Sequence, residues 1–396
     1  MSARTFSIAC LTAVLLAVGC VGLFNWIVDP YGYFRDVQIA GFNANKPKAA
    51  GNDRLVKPAW AAKLKPEAII VGGSIAEIGL PPTHRGFTMD GALVPFNLGM
   101  ARATWSETYC LAMFMMRQAP LKRMVIGVSG IEVTTCPSDA EQGRADYGKL
   151  LFSRAAFDAS RETLRLQRQQ AAISPEGLWD FDRYDEHLQT EEEVAQNFAV
   201  VMKSELCASA SVGSAAPASI QPLKAPVAAE RGAGLRNLIR LALARRVELI
   251  LLFYPTHVLL SEAQRSCQGA DARWNWLWQT VSIAEQEAAG HSRQIQVWEF
   301  WDYSTLNGER IHAGKPARDR LWQDSIHFNH ELGDVVFDAI YRGRPGYGAQ
   351  VTVANFDDLA ARGEERRSKF LAANPWVAEE FDEVKRRAGF GDAAAR

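Results

Sequence analysis

The sequence predicts an α/β fold, with a parallel sheet covered by helices on both faces and carried on an N-terminal transmembrane helix. Three observations lead there. Short apolar runs alternate with longer stretches of helical period. The runs are almost continuously hydrophobic, as in strands buried on both faces. The first 30 residues hold an uncharged stretch, Phe6 to Val28, of 23 positions, which is enough to cross a bilayer as a helix.

Trp26 sits near the end of that stretch, where an interfacial aromatic belongs, and Asp29-Pro30 stops the helix. A cleaved signal peptide is the alternative, but no small-x-small site follows the apolar run. A lipoprotein reading of "LAVGC" is set aside because the run continues past Cys20. Arg4 lies before the helix and Arg35, Lys46 and Lys48 after it, so charge bias leaves orientation open. A five-residue head before a single anchor favours a soluble domain outside the inner (cytoplasmic) membrane. Asp29 to Leu64 is rich in Pro, Gly and Asn and reads as a loop-like collar.

Strands are then expected at Ala68–Gly72, Val94–Gly99, Arg123–Ser129, Val247–Pro255 and Gln294–Phe300. Helices are expected at Thr104–Gln118, Leu235–Arg246, about 263–289, and His330–Arg342. Thr104 followed by Glu107 is a capping-box pattern. Between the third strand and Leu206 the chain reads as a charged helical insertion. Ala208 to Gly234, rich in Ala, Ser and Pro, reads as a linker. The domain reading is therefore an anchor over 1–28, an α/β domain over 29–342 interrupted at about 131–234, and a charged, peripheral helical tail over 343–396.

The net charge is −1 and no basic stripe occurs, which argues against nucleic acid as a partner. No GxGxxG or GxxxxGK[ST] is present, so dinucleotide and P-loop readings lack support. No CxxC occurs among the six cysteines; neither a metal nor a cofactor is expected, and any disulfide pairing stays open.

The first strand ends "VGGS", and ligands gather at the carboxyl ends of strands in an open parallel sheet. Ser74 stands at such an end. Asp324 and His327, three residues apart in "WQDSIHFN", precede the last helix on the same predicted rim. A serine hydroxyl needs a base to become a nucleophile. A histidine serves near neutral pH, and a carboxylate on its other nitrogen fixes the tautomer. An oxyanion would need preorganised donors, for which the N–H of Ser74 and the backbone and Asn97 side chain after the second strand are candidates.

These residues resemble the SGNH (GDSL-like) hydrolase superfamily: serine after the first strand and Asp-x-x-His close to the domain's end. The layout is most similar to a membrane-anchored bacterial branch that includes the alginate O-acetyltransferase-like proteins. Its marks here are "DPYGYF" at Asp29–Phe34, "NANKP" at Asn43–Pro47, "RLVKP" at Arg54–Pro58 and "NLGMARATWSE" at Asn97–Glu107. The likeness covers roughly 29–130 and 235–342. It implies a flavodoxin-like three-layer α/β/α fold, with Ser74 as nucleophile, His327 as base and Asp324 as its orienter. It further implies acyl, above all acetyl, transfer or hydrolysis on an exported or cell-surface polysaccharide, with a membrane acyl-donor protein as a possible partner. Three departures stand out. Gly73 replaces the usual Asp of the first block, Arg102 stands at the second-block glycine, and "GVSGIE" lacks the third-block Asn.

Each residue also has a plainer reading. Gly-Gly-Ser is a common turn, and Asp324 can be the cap of the last helix. Gly73, Asn97, Gly99, Arg102 and His257 are the candidates for oxyanion or substrate contacts. His257 can equally be a loop residue and Arg102 a salt-bridge partner of Glu107. Ser129 is a second rim serine. Trp274, Trp276 and Trp278 suggest either a sugar platform or core packing. His84, His187, His291, His312 and His330 show no partner pattern. The alternative function is a catalytically silent anchored protein that binds polysaccharide or assembles an export complex.

Overall fold

The computed structural model describes residues 2–131, 136–138, 145–169, 171–181, 190–206, 224, 232–268, 272–290, 294–316 and 319–389. Most of the expected linker, together with His187, His291 and Cys207, lies outside the described residues. In chain order the elements begin with α1 (Ala3–Val28), α2 (Asp53–Leu64), β1 (Ala68–Val71), α3 (Ser74–Gly79), β2 (Pro95–Asn97) and α4 (Trp105–Gln118). They continue with β3 (Arg123–Gly127), α5 (Tyr147–Phe152), α6 (Arg154–Arg165), α7 (Glu191–Leu206), α8 (Ala233–Arg245), β4 (Glu248–Phe253) and α9 (Val258–Gln268). The last are α10 (Ala272–Ala288), β5 (Ile295–Glu299), α11 (His330–Arg342), β6 (Ala349–Val351), α12 (Phe356–Ala373) and α13 (Trp376–Ala388).

The fold is mixed α/β, and among the described residues five of six strands run parallel in the order β2-β1-β3-β4-β5. β6 adds an antiparallel edge on β5, which the sequence pattern did not suggest. Ala68, Ile69, Ile70 and Val71 of β1 are all fully buried, so both faces of the central sheet are covered. Ile70, Val125, Ile250 and Leu252 join one core with Val336 and Phe337 of α11. Thr104 and Glu107 close the expected capping box on α4. A disulfide joins Cys110 of α4 to Cys136 after β3.

Chain contacts define two compact units that cut across the expected segments. The sheet unit comprises 66–136 and 176–396, and it includes the tail. That tail is not peripheral: Val377 and Val384 of α13 belong to the main core, and Phe356 packs edge-on against Trp274 and Trp278. The expected Trp-rich helix, about 263–289, corresponds to α9 and α10, and 269–271 between them lie outside the described residues.

The other unit comprises 1–65 and 137–175. Its α1 is long and apolar enough to cross a membrane. Asp29 ends α1 in the left-handed conformation, and Lys46 Nζ lies 2.9 Å from the Val28 carbonyl. The collar is not all loop: α2 forms within it, and the Trp60 indole N–H is bonded to the Gly32 carbonyl.

Candidate active site

Val71 is the last residue of β1, and Gly72 and Gly73 carry the chain into α3. Gly73 is the extended N-cap, so Ser74 is the first helical residue and sits at the carboxyl end of a central strand. The Asp324–His327 segment is a tight loop. Trp322 bridges Phe328 across it, and the Gln323 N–H donates to the His327 carbonyl at 3.1 Å.

The two segments, 253 residues apart in sequence, meet in one relay. Ser74 Oγ lies 2.7 Å from His327 Nε2. His327 Nδ1 lies 2.6 Å from Asp324 Oδ2, while Asp324 Oδ1 accepts the N–H groups of Ile326 and His327, each at 2.8 Å. Because the carboxylate only accepts, it holds the imidazole proton on Nδ1 and leaves the Nε2 lone pair for the serine hydroxyl. Asp324 does not cap the last helix; Asn329 does, accepting from the Leu332 N–H.

Two glycines set this distance. A Cβ on Gly333 of α11 would fall 1.8 Å from the Gly79 carbonyl oxygen, and one on Gly79 would fall 2.5 Å from the Phe328 ring. The α3 and α11 helices therefore meet backbone to backbone, and the serine on one reaches the histidine just before the other. Sequence reading passed over both residues. The available signal was a glycine inside the helical pattern "HELGDVVFDAIYR", where such a residue usually has a packing reason.

Ser74 opens onto a cleft of about 440 Å³ whose lining includes Gly73, Arg102, Ser129, Arg273 and Trp276. Arg102 keeps a left-handed conformation, φ +55°, which a glycine would adopt without strain. Of the three tryptophans only Trp276 lines the cleft; Trp274 is buried and Trp278 packs on Phe356. Arg273, unnoticed in the sequence, stands 5.4 Å over the Trp301 ring at the cleft wall. Tyr254 also lines the cleft, and its ring crosses Gly127 to reach Gly72. A Cβ at either glycine would lie within 2.2 Å of the tyrosine hydroxyl.

Three expected contact residues are committed elsewhere. The Asn97 amide is fully buried and donates to the Ala76 and Leu80 carbonyls at 2.7 and 2.9 Å. Its Oδ1 accepts the Gly99 N–H at 2.7 Å, which removes both residues from the oxyanion candidates. His257 is fully buried, with Nε2 at 2.8 Å from the Glu309 carbonyl and Nδ1 accepting the Leu259 N–H. Its ring packs edge-on against Trp322, and its N–H donates to the Ser325 carbonyl, so it supports the Asp324–His327 loop from below. Strand-end position placed these residues on the rim; the inward direction of the Asn97 and His257 side chains, the former taking the Gly99 N–H, commits them to the interior. His84 pairs with Asp338, and His312 with Glu191 and Glu383. Among the described residues no cluster of three His, Cys, Asp or Glu could hold a metal ion.

No family model and no curated protein matches the chain.

Replacing Asn97 with Ala strands buried partners and should cost roughly 2–4 kcal/mol. The folded fraction should keep turnover within about tenfold, whereas loss of an oxyanion donor costs about 10²–10³ in kcat. Urea melts and kcat on the same preparation separate the two. Burial lowers the His257 imidazole to about 4 from its ordinary value near 6.5. Between those values the unfolded chain binds the extra proton, so stability is full above about 6.5 and falls as pH drops toward 4. His257→Gln keeps a donor for Glu309 and should flatten this acid limb by up to about 3 kcal/mol. Glu299, which burial pushes up to about 7, tilts the curve the other way in both proteins and cancels in the difference. Identical acid limbs would refute the assignment.

Proposed function

We propose that this protein is a membrane-anchored O-acyltransferase or esterase of the SGNH type that moves an acyl group, above all acetyl, on an exported or cell-surface polysaccharide. The observation that carries the reading is the Ser74–His327–Asp324 relay at the mouth of the cleft. The strand order β2-β1-β3-β4-β5 is that of flavodoxin-like sheets, which supports the three-layer reading of the fold. Ser74 Oγ attacks the donor ester's carbonyl carbon while His327 Nε2 takes the hydroxyl proton. The donor C–O bond breaks, and His327 returns the proton to the leaving oxygen. An acceptor hydroxyl, from sugar or water, then attacks the acyl-serine carbonyl. Its proton passes through His327 to Ser74 Oγ, which leaves as the free hydroxyl. Trp276 at the cleft wall offers a sugar ring a flat apolar face.

One feature supports a retained anchor and another supports placement outside the cytoplasmic membrane. Gly22, Asn25 and Val28 at the end of α1 are buried in the unit they belong to, as expected of a retained anchor and not of a removed signal. The Cys110–Cys136 disulfide suits an oxidising compartment. The alternative, a silent polysaccharide-binding or assembly protein, is favoured by the commitment of Asn97 and Gly99 to structural bonds.

The full chain in detergent should hydrolyse p-nitrophenyl acetate and carry a transient acetyl mass on Ser74. Ser74→Ala should abolish both. Asp324→Asn should lower kcat on the order of 10⁴ by spoiling the tautomer. Equal background rates in wild type and Ser74→Ala, with no adduct, would transfer the weight to the binding protein.

A further inference from the structure

We propose that α5, the start of α6 and the collar tip at Ile39 form a foot seated in the phospholipid headgroup layer, on the side where α1 leaves the membrane. The inference rests on reading α1 as a retained membrane anchor. Bilayer dimensions fix the level. A hydrocarbon core of about 30 Å takes about 20 helical residues. Counted from Phe6, the first residue of the uncharged run, that span ends near Asn25.

At that level α1 is not bare. The Asn25 amide donates to the Leu151 carbonyl at 2.7 Å, and its oxygen accepts the Ser160 hydroxyl at 2.8 Å. Phe24 packs on Phe157 at 5.5 Å, and the Phe152 ring covers Gly22 so closely that a Cβ there would collide with it. These contacts place α5 and α6 beside the last turns of α1, at the hydrocarbon edge and not above it. Asn25, a polar residue at the rim of an apolar span, has its hydrogen bonds met by this pair of helices.

What the pair presents outward suits that layer. Phe152 is 52% exposed, Tyr147 56% and Ile39 52%, an unfavourable display in water. Tyr147 stacks on Phe34 at 5.9 Å, an aromatic group of the kind that settles at headgroups. The Asn43 amide holds the Ile39–Asn43 turn against the Ile27 carbonyl, which fixes the tip beside the end of α1. Lys149 and Arg154 flank Phe152 with side chains 84% and 95% exposed. Their carboxylate neighbours, Asp146 and Asp158, lie at 3.9 and 3.6 Å, too loosely held to compete with lipid phosphate. Apolar rings between long basic side chains are the pattern of a segment lying in the interface.

The test uses the full chain in vesicles of phosphatidylethanolamine and phosphatidylglycerol. Cys10, Cys20, Cys207 and Cys267 are replaced and the disulfide pair is retained. Single labelling sites are introduced as Phe152→Cys, Tyr147→Cys, Ile39→Cys and, inside the span, Leu16→Cys, each carrying a small fluorophore. Lipids bearing a nitroxide just below the headgroup are then compared with nitroxide-free vesicles. Severalfold quenching at positions 152, 147 and 39, alongside quenching by a deeper nitroxide at position 16, is the expected result. Quenching at 16 with none at the other three overturns the foot and leaves the anchor standing. No quenching at 16 overturns the anchor itself, and the foot with it. The three independent sites keep the test decisive if Phe152→Cys fails to fold.

Discussion

The candidate site depends on one carboxylate that has been removed from water. Asp324 is 1% exposed, and its two oxygens accept two backbone N–H groups and one imidazole. A buried ionised group of this kind is tolerable only when its lone pairs are met. The loop from Trp322 to Phe328 closes so as to meet them, and the closure aims His327 outward at Ser74. The layer beneath follows from the same need. Glu309 accepts the N–H groups of Leu321 and Trp322, the Trp322 indole donates to the Leu306 carbonyl, and His257 holds Ser325. Each bond restrains a residue of the loop, so the imidazole's position is set by many weak constraints.

The second half of the relay is set by shape. Parallel strands deliver chain ends to one rim, but only to within several ångströms, and proton transfer needs hydrogen-bond contact. The glycine contact between α3 and α11 supplies the remaining closeness, because nothing thicker than two backbones separates the helices. A methyl group at Gly333 would wedge them apart before it met any side chain. The same device recurs one layer in, where Gly72 and Gly127 admit the Tyr254 ring beneath the serine turn. The rim that carries the candidate site is therefore built by omission of side chains as much as by their chemistry.

This explains what was legible in the sequence. β1, β3 and β4 were readable because each is an almost continuous apolar run, and α4 because Thr104 and Glu107 announce its start. Ser74, Asp324 and His327 were readable only together, through a serine after the first strand and an Asp-x-x-His pair near the domain's end; each alone has a plainer reading. The inward commitment of Asn97 and His257, and of the Gly99 N–H that Asn97 takes, was not legible. Position along a strand gives the rim, but not whether a side chain turns toward solvent or folds back to satisfy carbonyls. β6 escaped notice because three residues at an antiparallel edge carry too little pattern. The tail read as peripheral because its charges are many, yet several of them pair with the rest of the sheet unit. Arg367 holds Glu262, which also accepts the Tyr303 hydroxyl, and α13 contributes Val377 and Val384 to the core.

With Asn97 and Gly99 committed, the proposed chemistry has the first turn of α3 as its nearest source of oxyanion donors, because the leading N–H groups of a helix have no intrahelical acceptor, and the turn at Arg102 lies beside it. Arg102 bears on this through its backbone. A side chain in the left-handed region is strained, and its persistence at φ +55° means the surrounding loop dictates that conformation whatever residue stands there. The Ala103 carbonyl, 3.8 Å from where a Cβ on Gly73 would sit, places that turn directly beside the serine. Fewer side-chain donors should mean slower acyl-enzyme formation, since each oxyanion donor is worth about 10²–10³ in rate. A slow first step suits an enzyme that waits for a bound sugar hydroxyl better than one that hydrolyses freely. The cleft beside Ser74 is lined by Trp276, Trp301 and two arginines, Arg102 and Arg273, which is the kind of wall the proposed acceptor would need.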